Sequence, residues 1–271
     1  MLPTFIVIGA MKCGTTSLYY VLDAHPEIEM SDRKETDFFV RENNYGKGRD
    51  WYERRFPEAG RARGECSPNY TKAHLFSGVA RRMHALVPDV RLVYVVRDPI
   101  ERIISHYVGS RTQGREDRSF AEAVTPPDNN YVRTSRYFRQ LAPYREHFDD
   151  EQIWVGSLER FAEAPAAVLR DLHRFIGVDS TVADEQLRQG PFNTSRRKRR
   201  RGEWYQWLRR VTSQPLKDSL RPYVPKHWIP GTPIERPEPS DALRNRLAEA
   251  LRDDVAALRR WTGRAFESWS V

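Results

Sequence analysis

The strongest constraint on the fold lies near the start of the chain, where FIVIGAMKCGTTSLYY (5–20) passes from an apolar run through a glycine loop into a helical pattern. Thr4 to Ile8 is β-branched and aromatic, as a buried strand requires. Leu18, Val21 and Leu22 then recur at helical spacing until His25-Pro26 closes the pattern. A buried strand that feeds a helix through so short a loop points away from all-helical and all-β folds. It fits a parallel sheet with right-handed crossovers.

Later segments repeat the unit. VRLVYVV (90–96) reads as a second buried strand, ended by Arg97-Asp98-Pro99 and followed by the helix IERIISHYV. QIWVGSL (152–158) reads as a third strand. Ala164 to Ile176 is a helix by its end signals, with Pro165 near the start and Gly177 just past the end. Tyr131 to Phe148 carries aromatic residues at roughly helical spacing, mostly core. Leu243, Leu247, Leu251, Val255, Leu258 and Trp261 form one long apolar stripe, expected on a helix docked against the body. The expected class is α/β, a P-loop-like central parallel sheet with helices on both faces. A single domain over 1–271 is expected, with 195–240 a basic, proline-rich loop region and 241–271 a C-terminal helix.

The charge balance is +8, which favours an anionic ligand but does not choose among nucleotide, nucleic acid, glycan and membrane surface. Two cysteines, Cys13 and Cys66, form no C-x-x-C pair, and the seven histidines form no H-E-x-x-H pair, so no protein-held metal is expected. No apolar run reaches the length of a membrane span, and the N-terminal stretch lacks the form of a signal peptide, so a soluble cytoplasmic protein is expected.

Gly9-x4-Gly14 has the glycine spacing of a phosphate loop, yet Thr15-Thr16 stand where a lysine and hydroxyl pair serve a magnesium-bound triphosphate, and Lys12 lies inside the loop. Backbone N–H groups at a helix start, the helix dipole and the hydroxyls of Thr15, Thr16 and Ser17 still favour a phosphate. At the end of the second strand Arg97 suits an anion, and Ser105 follows on the next helix. A lone G-x4-G loop or a lone arginine has ordinary structural uses. Together, at two strand ends, they fit a nucleotide with two separate phosphates.

FIVIGAMKCGTTSL resembles the 5′-phosphosulfate loop of the PAPS-dependent sulfotransferases, and VVRDPIERIISHY resembles their 3′-phosphate motif, R-D-P-x-x-R-x-x-S-x-Y. The resemblance runs from residue 4 to about residue 110 and resumes in SLERFAEAPAAVLRDLHRFIGV and LRRWTGRAFESW. HPEIEMSDRKETDFF and GKGRDWYERRFP bring it nearest to the heparan sulfate N- and 3-O-sulfotransferase branch.

The resemblance implies 3′-phosphoadenosine 5′-phosphosulfate (PAPS) as donor, PAP as product, no metal, and an acceptor hydroxyl or amine on a carbohydrate or small metabolite. It assigns Lys12 to the leaving-side phosphate, and Cys13, Gly14, Thr15, Thr16 and Ser17 to the 5′-phosphate. Arg97 and Ser105 take the 3′-phosphate, and Glu35 is the general base. The late basic loop, with Ser195, Arg196, Arg197, Arg199 and Gly202, is a candidate to close over the 3′-phosphate.

Where the family often has Glu-Lys this chain has Glu65-Cys66, so Lys34 or Lys72 supplies the charge or the acceptor differs. Lys34, Glu65 and Tyr137 are the candidate acceptor contacts. Cys66 has no histidine partner in view and reads as a small, partly buried residue rather than a nucleophile. Two rival readings are an ATP-dependent kinase and a basic surface around 196–207 for nucleic acid or membrane. The partner expected is the acceptor, not nucleic acid, and oligomeric state is open.

Overall fold

Every residue of strand β1 (Phe5–Gly9) is buried, because β1 is the middle strand of a five-stranded sheet. The structure is a computed structural model and describes residues 1–56, 60–126, 128–189 and 234–271. The other strands are β2 (Ile28–Met30), β3 (Ala62–Cys66), β4 (Arg91–Val96) and β5 (Ile153–Ser157), in the order β2-β3-β1-β4-β5. All four pairings are parallel, with Phe5 opposite both Gly64 and Arg91, and Leu92 opposite Ile153. The central apolar runs FIVIG and LVYVV fit strands covered on both faces.

Helices flank this sheet. In order they are α1 (Thr15–Asp23), α2 (Arg49–Glu53), α3 (Val79–Leu86), α4 (Pro99–Thr112), α5 (Phe120–Val124) and α6 (Asn130–Ser135). Then come α7 (Tyr137–Arg145), α8 (Leu158–Glu163), α9 (Pro165–Ile176), α10 (Ala183–Gln189) and, beyond the undescribed stretch, α11 (Asp241–Thr262). Local chemistry sets several ends. Pro99 opens α4 behind the Asp98 cap, and Gly177, at φ 89°, closes α9. Helix α11 buries Leu247, Leu251, Val255 and Leu258 and packs on α7, α4 and α6. Asp254 of α11 also caps α7, accepting from the N–H groups of Phe138 and Arg139 at 3.0 and 2.9 Å. That tertiary cap replaces a local one, which α7 lacks.

Two strands escaped the sequence reading. β2 is only three residues long, and β3, ARGEC, interrupts its apolar positions with Arg63 and Glu65. The aromatic stretch 131–148 also divides, because Arg136 leaves helical geometry at ψ 77° between α6 and α7. Among the described residues, no helix is long and apolar enough to cross a membrane.

Candidate active site

Parallel strands bring the carboxyl ends of β1, β3, β4 and β5 to one edge of the sheet, where α/β proteins place their ligands. The loop after β1 is tied to β4 by a hydrogen bond from the Ala10 N–H to the Val95 carbonyl, 2.6 Å. Gly14 starts α1 in the left-handed region at φ 85°, and a Cβ there would lie 2.8 Å from Leu158 Cδ1. Helix α1 has no side-chain cap and no acid in its first turn. Its first N–H groups therefore form a site for an anion from outside the helix. Helix α4 contrasts, since Asp98 accepts from the N–H groups of Ile100 and Glu101 at 2.9 Å.

Lys12, also left-handed at φ 75°, is turned toward α4. A side chain at Gly109 would come within 2.7 Å of its Nζ, so Lys12 lies against α4 one turn beyond Ser105, which is half-buried. Arg97, at the β4 edge, pairs with Glu101 at 2.9 Å and keeps about 20% of its side chain exposed. Glu101 also meets Arg236. Thr15 is buried, Ser17 half-buried and Thr16 exposed. Burial pushes the Cys13 thiol up to about 11, and its Sγ lies 3.6 Å from the Tyr137 hydroxyl.

Arg102 was not assigned a role from sequence, although it is the second arginine of the quoted motif. It is fully buried beneath the loop. Its guanidinium donates to the Ser135 hydroxyl at 2.7 Å, the Tyr131 carbonyl at 3.0 Å and the Met11 carbonyl of the loop at 3.3 Å, and meets His106 Nδ1 at 3.1 Å. None of these partners is an acid. Burial, then the charges of Arg102, Lys72 and Lys12, push the His106 pKa down to about 2. The loop edge is thus a cationic field, and His106 stays neutral within it.

A second cluster sits at the end of β3. The Glu65 carboxylate is fully buried and accepts from the hydroxyls of Ser67 at 2.7 Å and Tyr70 at 2.6 Å, as well as Thr36 and Tyr52. Burial pushes its pKa up, while the four donors pull the other way. With no exposed surface, Glu65 ties β3 to the segment after Lys34-Glu35, and the expectation that it contacts acceptor is corrected. Tyr137 is corrected too: it is fully buried under the loop, its ring 5.8 Å from Trp269. Cys66 is buried, with its thiol pushed up to about 12 by burial, the opposite of nucleophile activation.

Glu35 sits at φ 62°, held by an N–H bond to the Cys66 carbonyl at 3.0 Å. Its side chain is about 48% exposed and pairs with Lys34 at 2.5 Å. Nearby, Lys72 is 8% exposed and donates to Asn69 Oδ1 at 2.7 Å. Asn69 Nδ2 in turn donates to Asp37 Oδ2 at 2.9 Å, and Asp37 Oδ1 has no hydrogen-bond partner. Burial, then Arg102, push the Lys72 amine down to about 8, while Asp37 and Glu35 oppose the shift. Asp37 and Asn69 had no spacing signal to reveal them. Ser195, Arg196, Arg197, Arg199 and Gly202 lie outside the described residues.

Comparison with known proteins agrees with this architecture. Human heparan sulfate glucosamine 3-O-sulfotransferase 5 is 28% identical over 199 residues, covering 69% of this chain and 56% of that protein. The Drosophila melanogaster bifunctional heparan sulfate N-deacetylase/N-sulfotransferase is 28% identical over 212 residues, covering 65% of this chain and 20% of that protein. The chain thus spans about half, or less, of the curated relatives it matches. A solved sulfotransferase from Alicyclobacillus acidocaldarius superposes with a TM-score of 0.72 at 25% identity, covering 100% of both chains. The family model for the sulfotransferase domain matches residues 2–218, which takes in the whole sheet and both strand-end motifs, and by that match this chain belongs to the sulfotransferase family.

Proposed function

We propose that this protein transfers a sulfo group from PAPS to a hydroxyl or amine of a carbohydrate acceptor, with a glucosamine-containing glycan the first candidate. The observation that carries the reading is the uncapped start of α1, set among Lys12, Arg97 and Arg102. Helices α3 and α9 also start without a side-chain cap or first-turn acid. Helix α1 differs in opening from the glycine loop at the sheet's carboxyl edge, with Lys12 in that loop and the Arg102 guanidinium on the Met11 carbonyl, which favours a ligand phosphate at its first N–H groups. The named activities of the relatives support the acceptor class.

PAPS supplies a sulfo group already joined to a phosphate leaving group. Lys12 neutralises charge that collects on the leaving side, and the first N–H groups of α1 with Thr15, Thr16 and Ser17 hold the 5′-phosphate. Arg97, exchanging part of its contact with Glu101, binds the 3′-phosphate with Ser105. Arg102 touches no ligand; it adds a fixed positive potential below the loop. Glu35, exposed at the end of β3 and paired with Lys34, accepts the acceptor's proton, a role worth about 10²- to 10⁴-fold. Lys34 and Lys72 provide the cationic side of the acceptor cleft.

The test is calorimetric titration with PAP, ADP and ATP, with and without Mg²⁺, followed by transfer of radiolabel from PAPS to N-sulfated and N-unsubstituted glucosaminyl glycans. Metal-independent preference for PAP and label in either glycan are expected. Preference for Mg-ATP would overturn the donor assignment. PAP binding without label in any glycan would overturn the acceptor class alone.

A further inference from the structure

Residues 264–271 form a strap, and its contacts end beside Arg97. Gly263, at φ 65°, turns the chain out of α11. Arg259 in the last turn of α11 then pins the strap, donating to the Ala265 carbonyl at 2.7 Å and to the Val271 oxygen at 2.9 Å. Trp269 is 7% exposed and stacks on Phe266 with ring centroids 4.3 Å apart. Its other neighbour is Tyr137, whose hydroxyl approaches Cys13 in the loop.

The polar contacts converge on the residue after Arg97. Asp98 Oδ1 caps α4, while Asp98 Oδ2 accepts from the Ser270 N–H at 2.5 Å. The Asp98 N–H donates to Glu159 Oε1 at 2.9 Å, and Glu159 Oε2 accepts from Trp269 Nε1 at 3.2 Å. Asp98 is 4% exposed and Trp269 7%, so the acceptor carboxylate of Asp98 and the indole are withdrawn from water, while Glu159 is half-buried and Ser270 exposed. The turn that aims Arg97 is therefore held on one side by α4 and on the other by the strap, directly through Ser270 and by way of Glu159 through Trp269.

We infer that Trp269 and Ser270 are positioning residues for the donor nucleotide, holding the Asp98 turn so that Arg97 meets the 3′-phosphate. The inference rests on the PAPS reading. It separates from a general packing role because it concerns one phosphate. Loosening the turn weakens a nucleotide bearing the 3′-phosphate and spares one that lacks it.

The experiment measures dissociation constants of PAP and of adenosine 5′-phosphate for the full chain, for Trp269→Phe and for deletion of 268–271, with melting curves for each. Trp269→Phe keeps an aromatic ring, though a smaller one, against Phe266 and Tyr137 and removes the Nε1 donor, so it tests the contact even if the deletion fails to fold. The expected result is a loss of about 5- to 10-fold in PAP affinity in Trp269→Phe, with adenosine 5′-phosphate affinity within about twofold of wild type. Unchanged PAP selectivity in a folded Trp269→Phe protein, or equal loss for both nucleotides, overturns the strap inference alone. A wild-type chain that does not prefer PAP overturns the donor reading, and the inference with it.

Discussion

Glu35 and Lys72 show how position changes what a side chain can do. Glu35 is half exposed at the edge of the candidate cleft, whereas Glu65, a similar residue at the end of β3, is sealed among hydroxyls. Glu35→Gln is therefore expected to lower kcat by about 10²- to 10⁴-fold and leave PAP affinity unchanged, as read by steady-state kinetics beside titration. A loss of PAP binding instead would place Glu35 on the donor. Lys72, with its amine pushed down to about 8, is cationic below that pH and neutral above it. Acceptor kcat/KM is expected to fall as pH rises through about 8, and Lys72→Arg, whose charge persists, is expected to move the fall to higher pH. A fall at the same pH in both proteins removes Lys72 from the acceptor site. Lys12, Arg97 and Glu35 could be singled out from sequence because each sits in a dense motif. The settings of Glu65 and Tyr137 were not, since burial comes from distant chain segments.

Among the elements, β3 carries Glu65 to the carboxyl edge of the sheet and escaped the sequence reading. Its Arg63 and Glu65 break the apolar pattern that marks a central strand. The exception has a reason: Glu65 gathers Thr36, Tyr52 and the Ser67–Tyr70 turn, three stretches of chain, around one carboxylate. Glu65→Ala leaves those hydroxyls without their shared acceptor and is expected to cost about 3 kcal/mol in urea unfolding, within a range of about 2–5 kcal/mol. A cost below about 1 kcal/mol would show that the hydroxyls find other partners. By contrast α9 was legible almost to the residue and α4 at its start, because Pro165 with Gly177 and Pro99 with Asp98 are local signals that need no tertiary partner. Helix α4 runs on to Thr112, past the IERIISHYV stretch read as helix.

At the scale of the whole molecule, the far end of α1 meets α9 through a histidine pair. The rings of His25 and His173 lie 4.6 Å apart, and His173 is fully buried with neither ring nitrogen hydrogen-bonded. Burial, then the His25 charge, push the His173 pKa from 6.5 down to about 4. A folded state that resists the proton loses stability as pH falls from about 6.5 toward 4 and has its full stability above that window. Between pH 7 and 5, His173→Leu is expected to lose about 2 kcal/mol less than wild type in urea unfolding, a difference that cancels groups common to both proteins. Equal losses would mean that the unfolded chain and the fold hold this proton alike. By itself the sequence determined the parallel α/β class, the positions of the two strand-end motifs and the helices with local end signals. Each of these rests on residues close together in the chain, where periodicity and spacing act. Only the tertiary structure decided that Glu65 and Tyr137 are internal supports, that Arg102 is a buried cation beneath the loop, and that residues 269–270 reach Glu159 and Asp98. Those roles depend on burial and charge set by segments far apart in sequence, and local pattern holds no record of that proximity.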